Sequence, residues 1–470
     1  MKSAPKAGWP KSAAIWIAVA VIASLAFLGP FGGLTREAQS AAAIGLVMAL
    51  LWMTEAVPLP VTALLPLALF PLLGVSSIAD LGPAYANPVI FLFLGGFLIA
   101  RAIEKWNLHR RLAFAILART SGDPAVVVLA VMAVTAFLSL WISNTAATMV
   151  VAPIAASIAA MRDDGDGFAP ALMLGVAFAA TIGGIGSLIG TPPNALFAAY
   201  MEKTHGVIIG FAEWMAVGLP VVAILLPVAW LVLTRFAFRL DSGHVATGFA
   251  RLGAMSAGER RVAIVSGLTA LAWIARPALA GLVPGLALTD AGIAIAGAVI
   301  LFILPAGDGR GSRLLDWQTA AGLRWDVLIL FGGGLALAAA IDDTGLAAWI
   351  GARAEALSGY PVLAILVILA AIIVYLGELA SNTAMAAIFL PVAGATALAM
   401  GADPVTFALP VAMAASIGFM LPVATPPNAI VFANPAVTRA GMIRAGAGLD
   451  VIGIAVALAA GTLLGPLVFG

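Results

Sequence analysis

The 470-residue sequence contains no cysteine, which excludes thiol catalysis, disulfide scaffolding and thiolate metal centres. Histidine is nearly absent too. His109, His205 and His244 are the only three, all are expected in loops, and none has the His/Cys/carboxylate spacing of a metal ligand set. Charged residues make up 10% of the chain with a net charge of +1, against about 25% charge in an ordinary soluble domain. No basic stripe exists for a nucleic acid. The apolar run SAAIWIAVAVIASLAFL after the basic amino terminus lacks an Ala-x-Ala cut site, so it reads as a first membrane helix. No buried histidine and no pair of neighbouring acids is legible, which leaves an intramembrane enzyme without a nucleophile–base pair or a metal. Nothing resembles the filter ring of a channel.

What the chain has in abundance is apolar sequence, 63% of residues with a mean hydropathy of +1.11. Segments of the roughly 17–25 residues that span a bilayer are expected near 13–29, 41–56, 60–75, 88–104, 170–200, 212–236, 262–280, 289–305, 325–341, 404–434 and 446–468. Two further stretches, 123–160 and 361–400, are longer and carry a polar triplet at mid-length. With a cytoplasmic amino terminus, and with each long stretch returning to its own side, the basic residues sort cleanly. Of the 23 Lys and Arg, only Arg36, Lys203, Arg276 and Arg353 fall outside the cytoplasmic loops, as the positive-inside rule asks. This places the carboxy terminus outside. The acidic run Met161–Gly167 lacks the twelve-residue spacing and terminal Glu of a calcium loop and reads as a connection.

The two long stretches are copies. Ser143-Asn144-Thr145 returns as Ser381-Asn382-Thr383, and Thr191-Pro192-Pro193-Asn194 returns as Thr425-Pro426-Pro427-Asn428. Gly95-Gly96 returns as Gly332-Gly333-Gly334, read as close helix packing. The first long stretch follows four spans and the second follows nine, so the copies are inverted, the arrangement of secondary transporters with a site at the midplane. LWISNTAATM is too apolar for a turn in bulk water, which favours a re-entrant hairpin buried in protein.

The residue types at the breaks explain the chemistry. Ser, Asn and Thr bond nearby backbone and so interrupt a helix and cap the next, while Pro suits the first helical turn. Four half-helices are therefore predicted to begin after Thr145, at Pro192, after Thr383 and at Pro426. Each start offers free N–H groups and about half a positive charge. Four sum to roughly +2, suited to a dianion without any Lys or Arg. The ends of the preceding half-helices leave carbonyls that, with hydroxyl and amide oxygens, suit a hard cation such as Na+. Glu55 and Glu378 are carboxylates at membrane depth and functional candidates on that ground.

These paired motifs, with WMTEAVPLPVTALLP in the second and third helices, resemble the divalent anion/sodium symporter (DASS) family over almost the whole chain. The resemblance implies an all-α polytopic protein of eleven transmembrane helices and two re-entrant hairpins. It also implies a homodimer working as an elevator, with scaffold parts at 1–120 and 241–360 and transport parts at 121–240 and 361–470. It assigns the substrate carboxylates to Asn144, Thr145, Asn382 and Thr383, completed by Thr191, Thr425 and Pro426. One Na+ falls to Ser139, Ser143, Asn144 and the Gly190 carbonyl. The second falls to Gly377, Ser381, Asn382 and the Ala424 carbonyl, where Gly377 stands in place of a hydroxyl residue. The expected function is Na+-coupled transport of C4-dicarboxylates such as succinate, malate or fumarate. The alternatives are a sodium-independent dicarboxylate exchanger and a sulfate or tricarboxylate carrier on the same fold.

Overall fold

The computed structural model describes residues 11–25, 32–117, 122–162, 167–241, 244–245, 253–282, 287–354 and 359–469. Lys2, Lys6, Arg119 and Arg251 of the predicted cytoplasmic loops lie outside the described residues, as does 163–166 of the acidic run. Everything that positions the site is helical. Among the described residues eight helices are long and apolar enough to cross a membrane. Seven of them coincide with the eleven expected spans, and the eighth, Asn382–Ala399, belongs to the second long stretch. Lys11–Leu25, Leu59–Leu72, Asp290–Ile303 and the halves of 404–434 are shorter than sequence reading suggests. Proline accounts for one of these: Pro66, in the first turn of Leu65–Leu72, separates it from Leu59–Thr62.

Local chemistry sets the helix starts. An Asx–Pro pair opens three helices, with Val89 N, Ala125 N and Val405 N donating to Asn87, Asp123 and Asp403 at 2.9–3.0 Å. Four short helices have no counterpart in the sequence reading: Ile78–Tyr85, Leu108–Leu117, Trp317–Ala321 and Leu346–Ala354. Two histidines lie in helices rather than in the loops expected of them. His109 lies in Leu108–Leu117, 5% exposed, with Nδ1 3.1 Å from the Ile103 carbonyl. His205 ends the helix Pro192–His205, 3.1 Å from the Tyr200 hydroxyl. Both are thus satisfied packing residues rather than loop residues.

The glycine pairs work by absence of a side chain. A Cβ on Gly95 would sit 2.6 Å from the Ala294 backbone, and one on Gly333 would sit 2.3 Å from the Ala63 carbonyl. Helix Pro88–Lys105 can therefore press against Asp290–Ile303, and Trp325–Asp343 against Leu59–Thr62. On one side of this layer Lys105 Nζ meets Asp316 at 2.6 Å and Trp106 donates to the Leu314 carbonyl. The lysine holds the Asp316 carboxyl down to about 2, so this surface tie stays charged throughout neutral pH.

The inner layer consists of two copies of one unit, a helix pair followed by a broken helix. The first pair is Pro124–Ser139 and Asn144–Ala159, and its broken helix is Phe168–Ile185 and Pro192–His205. The second pair is Val362–Gly377 and Asn382–Ala399, followed by Pro404–Ala415 and Pro426–Phe432. Each pair packs on its own broken helix, and the copies then exchange ends. Pro192–His205 packs on Asn382–Ala399 and Pro404–Ala415, while Pro426–Phe432 packs on Asn144–Ala159 and Phe168–Ile185. Phe178 and Phe419 seal the crossing with ring centroids 5.1 Å apart.

Candidate functional site

Helices begin at Asn144, Pro192, Asn382 and Pro426, within a residue or two of the starts expected from the motifs. Ser143 caps the first with its side chain accepting from Ala146 N at 3.3 Å. Thr425 caps the fourth by accepting from Asn428 N, also at 3.3 Å. Ser381 and Thr191 are the caps of the other two and make no side-chain cap bond. That leaves their helix starts with more unpaired N–H groups. Ser143, Asn144, Thr145, Ser381 and Asn382 are half-buried and Thr383 is buried, as are Thr191 and Thr425, while Pro426 is exposed.

Around the first triplet the oxygens converge. One terminal atom of the Asn144 amide lies 2.7 Å from Ser139 Oγ, 3.2 Å from the Ala180 carbonyl and 3.3 Å from the Gly190 carbonyl. Ser139, fully buried, donates to Ala180 O at 2.7 Å. With the amide nitrogen at that position the cluster is satisfied by hydrogen bonds. With a hard cation among the oxygens, the amide oxygen takes the same place and the amide, hydroxyl and carbonyl oxygens become ligands. The residues present therefore fit Na+: Ser139, Asn144 and the Gly190 carbonyl of the expected set come together, while the Ser143 hydroxyl is engaged as the helix cap. A Cβ on Gly184 would collide with the Asn144 amide at 2.3 Å, so the small residue there is what admits the amide.

The second set is built differently. Asn382 Oδ1 has no hydrogen-bond partner, which leaves an amide oxygen available to a ligand. Gly377 is buried and ends Val362–Gly377 without a side-chain oxygen. Glu378, 3% exposed, accepts from Met420 N at 2.8 Å and Leu421 N at 2.7 Å, in the break before Pro426. Asp450, fully buried on Arg439–Ala459, accepts from Phe419 N at 3.1 Å, the residue next to the Met420 N that Glu378 holds. This is the pair of neighbouring acids that sequence reading found no trace of, because 72 positions of chain separate them. Its partners are the backbone N–H groups of Phe419, Met420 and Leu421. Among the described residues no group of three or more His, Cys, Asp and Glu could hold a metal ion. Glu55, the other acidic candidate, stands apart: it is exposed at the end of Arg36–Thr54 with a left-handed φ of 46°, a turn residue rather than part of the site.

Sequence reasoning also missed the residues that hold the breaks in shape. Asn194 Nδ2 donates to the Gly184 carbonyl at 3.0 Å and to the Ser187 carbonyl at 2.8 Å. Asn428 Nδ2 does the same to Gly418 at 3.1 Å and Leu421 at 3.0 Å. In both copies the partners lie ten and seven residues back, and both amides are fully buried. The final Asn of Thr-Pro-Pro-Asn thus bonds the loose carbonyls of the preceding half-helix. Its recurrence in both copies was the available signal.

A family model described as the sodium:sulfate symporter transmembrane region matches residues 10–470. The chain is 38% identical over 447 residues to the sodium-dependent dicarboxylate transporter SdcS of Staphylococcus saprophyticus, covering 91% of this chain and 86% of that protein. The SdcS of Staphylococcus aureus strain USA300 matches at the same identity and coverage. The solved structure of the Alcanivorax borkumensis YdaH transporter shares the fold, with a TM-score of 0.60 over 97% of this chain and 98% of that one at 15% identity.

Proposed function

The chain belongs to the sodium:sulfate symporter family, the divalent anion/sodium symporters that its motifs resemble, and on that footing we propose that it is a secondary active transporter moving C4-dicarboxylates with Na+. It is a multi-pass membrane protein of a transporter family and not an enzyme. The observation that carries the proposal is the reciprocal crossing of two broken helices, which gathers four helix starts in one inner layer with no Lys or Arg within ten residues of Ser143, Pro192, Ser381 or Pro426. Free N–H groups there suit a dianion, and Asn144, Thr145, Asn382 and Thr383, completed by Thr191, Thr425 and Pro426, are the residues we assign to its carboxylates.

Na+ supplies the positive charge that the site lacks. Ser139, Ser143, Asn144 and the Gly190 carbonyl would hold one ion, and Gly377, Ser381, Asn382 and the Ala424 carbonyl a second. The two helix pairs act as re-entrant hairpins entering from opposite sides, among eleven transmembrane helices, with the amino terminus cytoplasmic and the carboxy terminus outside. Parts 121–240 and 361–470, which interlock through the exchanged half-helices, form the body that moves. Parts 1–120 and 241–360 form the scaffold of a homodimer.

In proteoliposomes, uptake of labelled succinate is expected to require an inward Na+ gradient and to be competed by malate and fumarate. Equal uptake in choline would leave a sodium-independent exchanger, and competition by sulfate or citrate but not malate would reassign the substrate.

A further inference from the structure

The two copies are joined at equivalent positions by different chemistry. In the first copy, Ser187 in the break donates its hydroxyl to the Leu140 carbonyl at the turn of the helix pair, at 2.5 Å. In the second, the equivalent positions are Leu421 and Glu378, and the bond runs from Leu421 N to the Glu378 carboxyl. One residue earlier the substitution is reversed. Ser139 offers a buried hydroxyl beside Asn144, whereas its equivalent Gly377 offers none. The second copy has lost an oxygen and gained a carboxyl next to it. That carboxyl reaches the ion-facing turn: a Cβ on Gly418 would lie 3.8 Å from Glu378 Oε1 and 3.3 Å from Ala424 Cβ.

Resting on the Na+-coupled reading, we propose that Glu378 is the positioning residue of the second cation site, its carboxyl standing in for the hydroxyl that Gly377 lacks. Its two backbone bonds fix Met420 and Leu421 and so aim the Ala424 carbonyl that follows. Its carboxyl lies where the first copy has only the Leu140 backbone. Asp450, the other acid packed against it, bonds Phe419 N and extends the same anchored strip. Among the described residues no Lys or Arg forms an ion pair with either acid. The carboxyl oxygens of Glu378 therefore answer to backbone N–H groups beside the Ala424 turn, where the first copy has the Ser139 hydroxyl one residue earlier.

Gly377 makes the idea testable by restoration. A Cβ there would meet only Met385 Cγ at 3.8 Å, an ordinary contact, so a serine fits. By the symmetry of the copies its hydroxyl would face Ala414, as Ser139 faces Ala180. The experiment is a Na+ titration of the purified full-length protein, read by thermal stabilisation and tryptophan fluorescence, with succinate uptake in parallel. Wild type is expected to show a Hill coefficient near two. Glu378→Gln should lower it toward one and raise the Na+ midpoint tenfold or more, and Gly377→Ser in that background should bring both back toward wild type. An unchanged midpoint and cooperativity in Glu378→Gln overturns the proposal, as does a loss that Gly377→Ser leaves untouched. Should Glu378→Gln not fold, Gly377→Ser alone should tighten the Na+ midpoint several-fold, and no shift there also overturns it. A wild-type protein indifferent to Na+ against choline refutes the sodium reading itself, and this inference with it.

Discussion

At the scale of single residues, two kinds of asparagine occupy the breaks and should fail in different ways. Asn194 and Asn428 face protein on the donor side, each giving two hydrogen bonds to carbonyls that a helix would otherwise satisfy. Asn428→Ala leaves those carbonyls buried without donors, at about 1–3 kcal/mol for an unmet buried group. The expected result is a Tm lowered by several degrees in detergent, with uptake falling in proportion to folded protein. Asn144→Ala and Asn382→Ala should instead abolish uptake in protein that elutes and melts close to wild type, because both residues are half-buried at helix starts. Wild-type uptake by either would make the triplets structural. The triplets and Pro-Pro starts were legible because Ser, Asn, Thr and Pro act on their immediate neighbours. Contacts closed only by folding were not: the Asn194 clamp reaches ten residues back, and Glu378 meets an acid on a distant helix.

At the scale of elements, length decides what the helix pairs can be. Pro124–Ser139, Asn144–Ala159 and Val362–Gly377 have 16 residues each, about 24 Å at 1.5 Å per residue, against a hydrocarbon core of about 30 Å; only the fourth arm, Asn382–Ala399 with 18, is long enough to cross. Their tips carry half-buried polar groups, which suits a turn ending inside the protein against a cavity. The bases of the pairs provide the test, and a naturally cysteine-free chain makes it clean. Met161→Cys, at the base of the first pair, should react with an impermeant maleimide only from the cytoplasmic side, and Met400→Cys only from outside. Labelling of both from one side would remove the inverted arrangement and with it the paired ion sites. Sequence periodicity located the apolar elements well. It missed the short helices such as Leu108–Leu117 and Leu346–Ala354, because each is under three turns or so and lies between longer apolar runs that dominate any window. The exchange of half-helices between copies was equally hidden, since no local pattern records which distant surface a half-helix covers.

At the scale of the whole molecule, an elevator requires that parts 121–240 and 241–360 slide past one another, and one cluster ties them directly. Arg276 Nε lies 2.6 Å from Asp290 Oδ1, and Arg276 Nη2 lies 3.2 Å from Glu213 Oε2. Asp290 Oδ2 accepts from Phe211 N at 2.7 Å, and Phe211 stacks on Trp273 with centroids 4.5 Å apart. Phe211 and Glu213 belong to the proposed moving part, Trp273, Arg276 and Asp290 to the proposed scaffold. Arg276 is also one of the few basic residues that the proposed topology puts outside the cytoplasmic loops, and on that topology the tie lies on the outer side. On the sliding mechanism these are contacts that must part in every cycle. Replacing Glu213 and Arg276 together by cysteine in this cysteine-free chain, and joining them with a short bis-maleimide, should stop succinate uptake. Thermal stabilisation by Na+ should persist, because the proposed ion sites lie wholly within the moving part. The unlinked double variant and both single variants should still transport. Full uptake by the cross-linked protein would mean that the two parts travel as one body, and the sliding mechanism would have to be given up while the binding site stood.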